Sequence, residues 1–357
     1  VTHKKILVLP ADKAGCGKYR MYVPFREIQS RGPEQTGVKV DFFEDVYKHD
    51  TISSIFLANI VNSYDAAVFQ RVSDMPMVGI MEIAKKHGVK IFMDLDDDLF
   101  NVHVQNPAYK VWNKTSPATA NLKKAISLCD GLIFSTPELV FAHRNFNVDS
   151  EVCLNAIDLS DPVYDPSNSR RHELPGDKVI VGWAGSTSHI DSLKQIVKPI
   201  KKLIDKCPNV TFALCSNKEF MEMFDVPADR KVYIPHVKID EWPKIMSMLD
   251  VSIATVKPSA FNDCKSELKI LEAAVWGIPS VATYAAPYNR FKSVANGSLV
   301  TIYENETNDW VRAIQKLASD ESHRRTCGQK SLETMKTHYD LKGINDLRVN
   351  FILSKLV

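Results

Sequence analysis

The sequence predicts an α/β protein made of two doubly wound domains, and three observations carry that expectation. Short apolar runs of strand length alternate with longer amphipathic stretches along most of the chain, the pattern of a parallel sheet covered on both faces. With 357 residues the chain is longer than one compact core of about 150 residues needs. Two such alternating series are separated by Asp158 to Asp177, a stretch rich in Asp, Pro, Ser and Arg with no apolar period, which reads as a connection.

The first series opens with a strand over Ile6–Leu9 and a loop carrying Gly15-Cys16-Gly17. A helix from about Tyr22 to Arg31 follows. Strand, glycine-bearing loop and helix form the usual opening of a doubly wound domain. Strands are then expected at Val38–Phe43, Ala66–Gln70, Val89–Met93, Gly131–Ser135 and Ser150–Leu154. Helices are expected at Ser53–Asn62, Met77–His87, Asn121–Leu128 and Pro137–Asn145. The second series has strands at Val179–Trp183, Thr211–Cys215, Val232–Ile234, Val251–Ala254, Ser280–Thr283 and Leu299–Tyr303. Its helices are Ser192–Lys206, Glu241–Leu249 and Ser266–Trp276, with three more helical stretches ending at Ile344–Leu356. The expected domains are residues 1–160 and 178–340, joined by a linker over 161–177. A terminal helix within 341–357 can pack back on the first domain.

Composition narrows the function classes. Hydrophobic residues make up 45% and charged residues 25%, with a net charge of +2, which neither demands nor excludes a polyanionic partner. The seven cysteines are scattered, odd in number and never spaced as CxxC, so reduced thiols in a cytoplasmic protein are expected rather than zinc or disulfides. No run approaches the roughly 20 apolar residues of a membrane span, and the first residues lack the apolar core of a signal peptide. Neither a zinc-protease helix nor a G-x-S-x-G elbow occurs, so hydrolase readings lack support.

The chemistry is expected in Cys264–Thr283, CKSELKILEAAVWGIPSVAT. Ser266 reads as the N-cap of a helix whose Leu268, Leu271 and Val275 face the sheet, with Gly277 and Pro279 ending it. Lys265, just before that helix, suits a diphosphate. Glu272, deeper in it, suits the two hydroxyls of a ribose.

This segment resembles the nucleotide-sugar motif of the large retaining GT-B glycosyltransferase family, E-x7-E followed by A-x-x-x-G-x-P-V-V-A. Glu272 matches the second glutamate, the ribose ligand. The first glutamate's position is Cys264, with Asp263 one residue earlier, which is a departure from the pattern. The form K-S-x-L-K-x-L-E resembles a variant of the family in which Lys265 is a phosphate ligand. Asn155-Ala-Ile-Asp158 resembles the N-G-V-D before the interdomain linker. Gly182-Trp-Ala-Gly185-Ser-Thr-Ser-His189 resembles the first donor-domain loop without its usual arginine and lysine, leaving Gly185, Ser186, Thr187 and His189 to meet the diphosphate. Pro235-His-Val to Asp250-Val-Ser resembles the stretch leading to the base-binding loop.

The resemblance implies two Rossmann-like domains facing a central cleft, and sugar transfer with retention from a UDP- or GDP-type donor. No cofactor and no divalent metal are expected to be required. In the first domain, Gly15, Cys16, Gly17 and Arg20 are expected near the donor phosphates. Asp96, Asp97, Asp98 and Arg71 are expected near the transferred sugar or the acceptor, which is a glycan, a small molecule or a modified base in DNA. Two rival readings keep the fold but not the transfer: a protein that binds a nucleotide sugar without catalysis, and a sugar-nucleotide epimerase.

Overall fold

The computed structural model describes residues 3–43, 59–303 and 306–356. It divides into two units. The first comprises residues 1–158, 264–266 and 340–357, and the second residues 159–263 and 267–339.

In the first unit, β1 (Lys4–Leu9), β2 (Val38–Phe42), β3 (Ala66–Gln70), β4 (Lys90–Leu95), β5 (Gly131–Phe134) and β6 (Ser150–Val152) form one sheet. Its order is β2-β1-β3-β4-β5-β6, and every pairing is parallel. The sheet is apolar on both faces because helices cover both. Ile6, Val8, Val68 and Phe92 are in its core, with Phe25 and Ile28 from the helix Val23–Arg31. The last helix, Leu341–Leu353, adds Ile344, Val349 and Ile352 to the same core. Asp74, Ser116 and Thr136 start three helices by accepting from the backbone N–H three residues on, the usual N-cap bond. The helix predicted over residues 53–62 lies largely outside the described residues.

In the second unit, β7 (Val179–Ala184), β8 (Val210–Cys215), β9 (Lys231–Ile234), β10 (Val251–Ala254), β11 (Ser280–Thr283) and β12 (Val300–Ile302) are ordered β12-β11-β10-β7-β8-β9. These pairings too are all parallel. Trp183, Phe212, Phe224 and Trp310 lie in this core. In both sheets the strand order reverses once, between β1 and β3 and between β7 and β10. Doubly wound sheets bind ligands at such switch points, outside the carboxyl ends of the strands.

Several elements differ from expectation. Helical backbone begins at Gly15 rather than Tyr22, passes through a π-turn at Lys18–Tyr22 and continues as Val23–Arg31. Asp12 Oδ1 causes the early start by accepting from the N–H groups of Ala14 (2.7 Å) and Gly17 (3.1 Å). The helix expected over Ser192–Lys206 is broken into Ile190–Leu193, a 3₁₀ turn at Lys194–Ile196 and Val197–Lys206. Pro199 explains the break, since it lacks an N–H and its ring crowds the carbonyl of Gln195.

The stretch read as a linker is folded onto the second unit. It forms 3₁₀ turns at Pro162–Tyr164, Pro166–Asn168 and Arg171–Glu173. Arg171 pairs with Asp250 at 2.9 Å and donates to the carbonyls of Leu174, Pro175 and Lys178.

Candidate functional site

At the switch point of the first unit, β1 runs into Asp12 and β3 ends at Gln70. Gln70 Oε1 accepts from Ala11 N–H at 2.9 Å, which ties the two strand ends together. Arg71 follows with φ of +36°, a left-handed conformation that is strained for a side chain of this size. Its guanidinium pairs with Asp12. Asp12 therefore holds both the helix start and Arg71, a double role the sequence does not reveal.

The acidic run is shorter than it reads. Asp94 and Leu95 belong to β4, so the turn begins at Asp96. Asp97 Oδ1 accepts from Lys265 Nζ at 2.8 Å, both side chains being about three-quarters enclosed. Burial raises the pKa of Asp97; Lys265 opposes that rise and neighbouring Asp96 adds to it. Burial works against the charge of Lys265, but Asp97 and then Asp96 outweigh it, and its pKa lies above the ordinary value. Cys16 belongs to the same cluster. The charge of Asp96, then burial, pushes its thiol well up, so it stays protonated and is a poor nucleophile. Asp98 is turned inward: it is buried and accepts from Phe100 N–H and Asn101 Nδ2 (3.3 and 2.7 Å).

Two expectations are corrected here. Arg20 is wholly buried. Its Nε and Nη2 donate to the two oxygens of Asp94 at 2.9 and 2.7 Å, and Nη1 donates to Cys153 O and Asn155 Oδ1. With those donors engaged inside the fold, Arg20 is a structural cation rather than a phosphate ligand. Ser266 is not the N-cap either. The helix runs only from Leu268 to Ala274 with Glu267 at its N-cap, and Ser266 Oγ accepts from Asn155 Nδ2 at 2.7 Å. The apolar face changes accordingly. Ile270, Leu271, Ala273 and Ala274 are buried, while Leu268 and Val275 are only partly so.

The segment read as one motif is thus shared. Cys264, Lys265 and Ser266 belong to the first unit and Glu272 to the second. Thr136 Oγ1 fastens the first part by donating to Cys264 O at 2.9 Å.

At the switch point of the second unit, β7 ends at Ala184 and opens the loop of Gly185, Ser186, Thr187 and His189. Gly185 is buried, whereas Ser186 and Thr187 are exposed. A Cβ on Gly185 would stand 2.6 Å from the Trp183 ring and 2.9 Å from Lys269 Nζ, so only glycine fits. Lys269 donates to Ala184 O at 2.6 Å and lies 4.9 Å over the Trp183 ring. This lysine, three residues before Glu272, was not singled out in the sequence, although the K-x-x-E spacing puts both on one helix face. Glu272 is buried and its Oε1 accepts from Trp242 Nε1 at 2.9 Å. The tryptophan fixes the carboxylate, and His236 lies with its ring 6.0 Å from that of Trp242. A further buried acid, Glu267, pairs with Arg290 at 3.1 Å.

Among the described residues, no group of three or more His, Cys, Asp or Glu is arranged to hold a metal ion, and no helix is long and apolar enough to cross a membrane.

Comparison with solved structures decides the fold. HepE from Anabaena, solved with UDP and glucose, superposes with a TM-score of 0.68 over 99% of this chain and 100% of its own, at 17% identity. Sucrose-phosphate synthase from Thermosynechococcus elongatus gives 0.67 over 99% of each chain at 14% identity. An α-glucosyltransferase solved with UDP gives 0.66 over 99% of this chain and 100% of its own at 12% identity. The chain has the GT-B fold. No family model and no curated protein matches the sequence, which is in keeping with identities this low. The GT-B architecture accounts for the two six-stranded parallel sheets.

Proposed function

We propose that the protein is a glycosyltransferase that moves a sugar, with retention, from a nucleoside diphosphate sugar to a hydroxyl acceptor. One observation carries the reading. At the carboxyl end of β7, Lys269 stands against the Gly185 loop, and one turn further along the same helix Glu272 is buried and held by Trp242. That set offers a cation and backbone for a diphosphate and a carboxylate for a ribose diol. The solved neighbours with UDP favour a uridine nucleotide. Stabilising the charge on the departing diphosphate is the main electrostatic task of such a reaction. Lys269, with the amides of Gly185 and Ser186, is assigned to it, and Thr187 and His189 to the rim of that loop.

In the first unit a second group of candidate site residues stands together. Asp96 and Asp97, with Arg71 and Lys265, form a mixed cluster in which one carboxyl group has a raised pKa. A carboxyl group of that kind suits proton transfer at an acceptor hydroxyl. Gly15, Cys16 and Gly17 frame the cluster from the helix start, and Asp98 supports it from inside.

The test is donor binding by calorimetry. Wild-type protein is expected to bind UDP, and Glu272→Ala is expected to weaken that affinity by roughly tenfold or more, the loss of a charged acceptor with two hydrogen bonds, without a change in melting temperature beyond that of Trp242→Phe. Unchanged UDP affinity in Glu272→Ala would remove the ribose assignment, and no binding of UDP or GDP by the wild type would remove the reading itself.

A further inference from the structure

A concavity opens at the carboxyl edge of the second unit's sheet, on the β10–β11–β12 side. Its volume is about 600 Å³, and Tyr284, Lys257, Gln195, Asp191 and Lys194 are among its lining residues. Gly185, Lys269, Trp242 and Glu272 do not line it, so it is separate from the donor residues assigned above.

Two exposed aromatics stand at this edge. Tyr284 is 46% and Tyr303 61% exposed, and their ring centroids are 4.5 Å apart at an interplanar angle of 57°. Large aromatic surface left in water forgoes the stabilisation of burial, and such patches mark interaction sites. The platform is held in place. Tyr284 N–H donates to Ile302 O at 2.9 Å, which locks the end of β11 to β12. Lys257 is held on both sides of its backbone, by Ser192 Oγ accepting from its N–H and by Asn262 Nδ2 donating to its carbonyl (3.2 and 2.7 Å).

The charges select the ligand. Asp191 and Lys194 neutralise each other at 3.3 Å, and Lys257 makes no ion pair among the described residues, so the wall carries one uncompensated cation. A nucleic-acid strand draws its affinity from several phosphate contacts; one cation beside a carboxylate does not supply them. A pyranose fits better. Its C–H face covers a tyrosine ring, excluding water from both, while its hydroxyls can donate to Asp191 and accept from Lys257 and the Gln195 amide. The volume lies within the range of roughly 300–1,000 Å³ typical of small-ligand pockets.

We propose that this concavity is a carbohydrate subsite that takes one or two sugar residues of an oligosaccharide on the Tyr284–Tyr303 platform, apart from the donor site. It would keep a glycan on the protein by contacts that do not depend on the nucleotide.

The test is calorimetry and saturation-transfer NMR on the full chain. The probes are maltohexaose, cellohexaose, chitohexaose and a hyaluronan hexasaccharide, with a single-stranded oligothymidylate as the competing class. At least one oligosaccharide is expected to bind. Tyr284→Ala and Lys257→Ala are each expected to weaken it by about fivefold or more, with melting temperature and UDP affinity unchanged. Absence of binding by all four oligosaccharides overturns the proposal, as does binding that neither variant weakens. Tighter binding of oligothymidylate, lost in Tyr284→Ala, overturns it in favour of nucleic acid. UDP is titrated in parallel, so a protein that binds an oligosaccharide but no nucleotide loses the proposed transfer reaction and keeps the subsite.

Discussion

Arg20 shows what a single residue can conceal. Three positions after Gly17, at the start of the first helix, it has the residue type and place of a phosphate ligand. Its partner Asp94 is 74 positions away in the chain, and no local pattern announces the pairing. Burial of the pair makes each charge depend on the other: removing one partner from a buried ion pair leaves the other desolvated, at a cost of about 3–5 kcal/mol. Asp94→Ala is therefore expected to destabilise the protein by that amount, read from urea unfolding with an unchanged m-value. A loss below about 1 kcal/mol, the scale of an exposed pair, would contradict the geometry. Glu272 is the opposite case. A carboxylate beside the apolar face of a short amphipathic run has no structural reason of its own, so it stood out in the sequence. Its holder Trp242, 30 positions earlier, did not.

At the scale of elements, strands were legible and helix ends were not. Ala66–Gln70, Val251–Ala254 and Ser280–Thr283 occur as read, because a short run of β-branched and small apolar residues bounded by Gly, Pro or Asp leaves few alternatives. Helix ends depend on which side chain reaches which orphan N–H, and that is settled by packing. Asp12 extends the first helix to Gly15, while Ser266, a good N-cap by type, is drawn instead to Asn155. The two glycines of Gly15-Cys16-Gly17 are also unequal. A Cβ on Gly15 meets nothing within 4 Å, whereas one on Gly17 would lie 1.8 Å from Asp12 O. Gly17→Ala is expected to cost about 1–3 kcal/mol through overpacking, and Gly15→Ala less than about 0.5 kcal/mol in either direction. Thermal unfolding of the two variants checks the difference. Equal melting temperatures would mean that the Asp12 turn yields easily.

For the whole molecule, the division into units does not follow the chain. The second unit is nearly continuous, from residue 159 to 339, whereas the first is assembled from 1–158, 264–266 and 340–357. Ile344, Val349 and Ile352 sit in the same core as Ile6 and Phe92, so the first unit lacks part of its core until the end of the chain is present. A fragment of residues 159–339 is expected to unfold cooperatively and to bind UDP within about tenfold of the full chain, since Gly185, Trp242, Lys269 and Glu272 all lie in it. Residues 1–158 alone are expected to lack a cooperative melt. Circular dichroism and calorimetry on the two fragments decide both points. A cooperatively folded 1–158 would show that the last helix is an accessory rather than part of the core.

The sequence by itself determined the fold class, the strands and the oddity of a carboxylate, Glu272, beside an apolar helix face. These depend on periodicity, on Gly and Pro, and on charges out of keeping with their neighbours, all of which are local. Only the tertiary structure decided that Arg20 is sealed against Asp94, that Lys265 belongs with Asp97 rather than with Glu272, and that Lys269 stands against the Gly185 loop. Each depends on a partner between 74 and 168 positions away. A charged side chain takes its role from whatever opposite charge or carbonyl the packed sheet brings within about 3 Å, and no spacing in the chain encodes that.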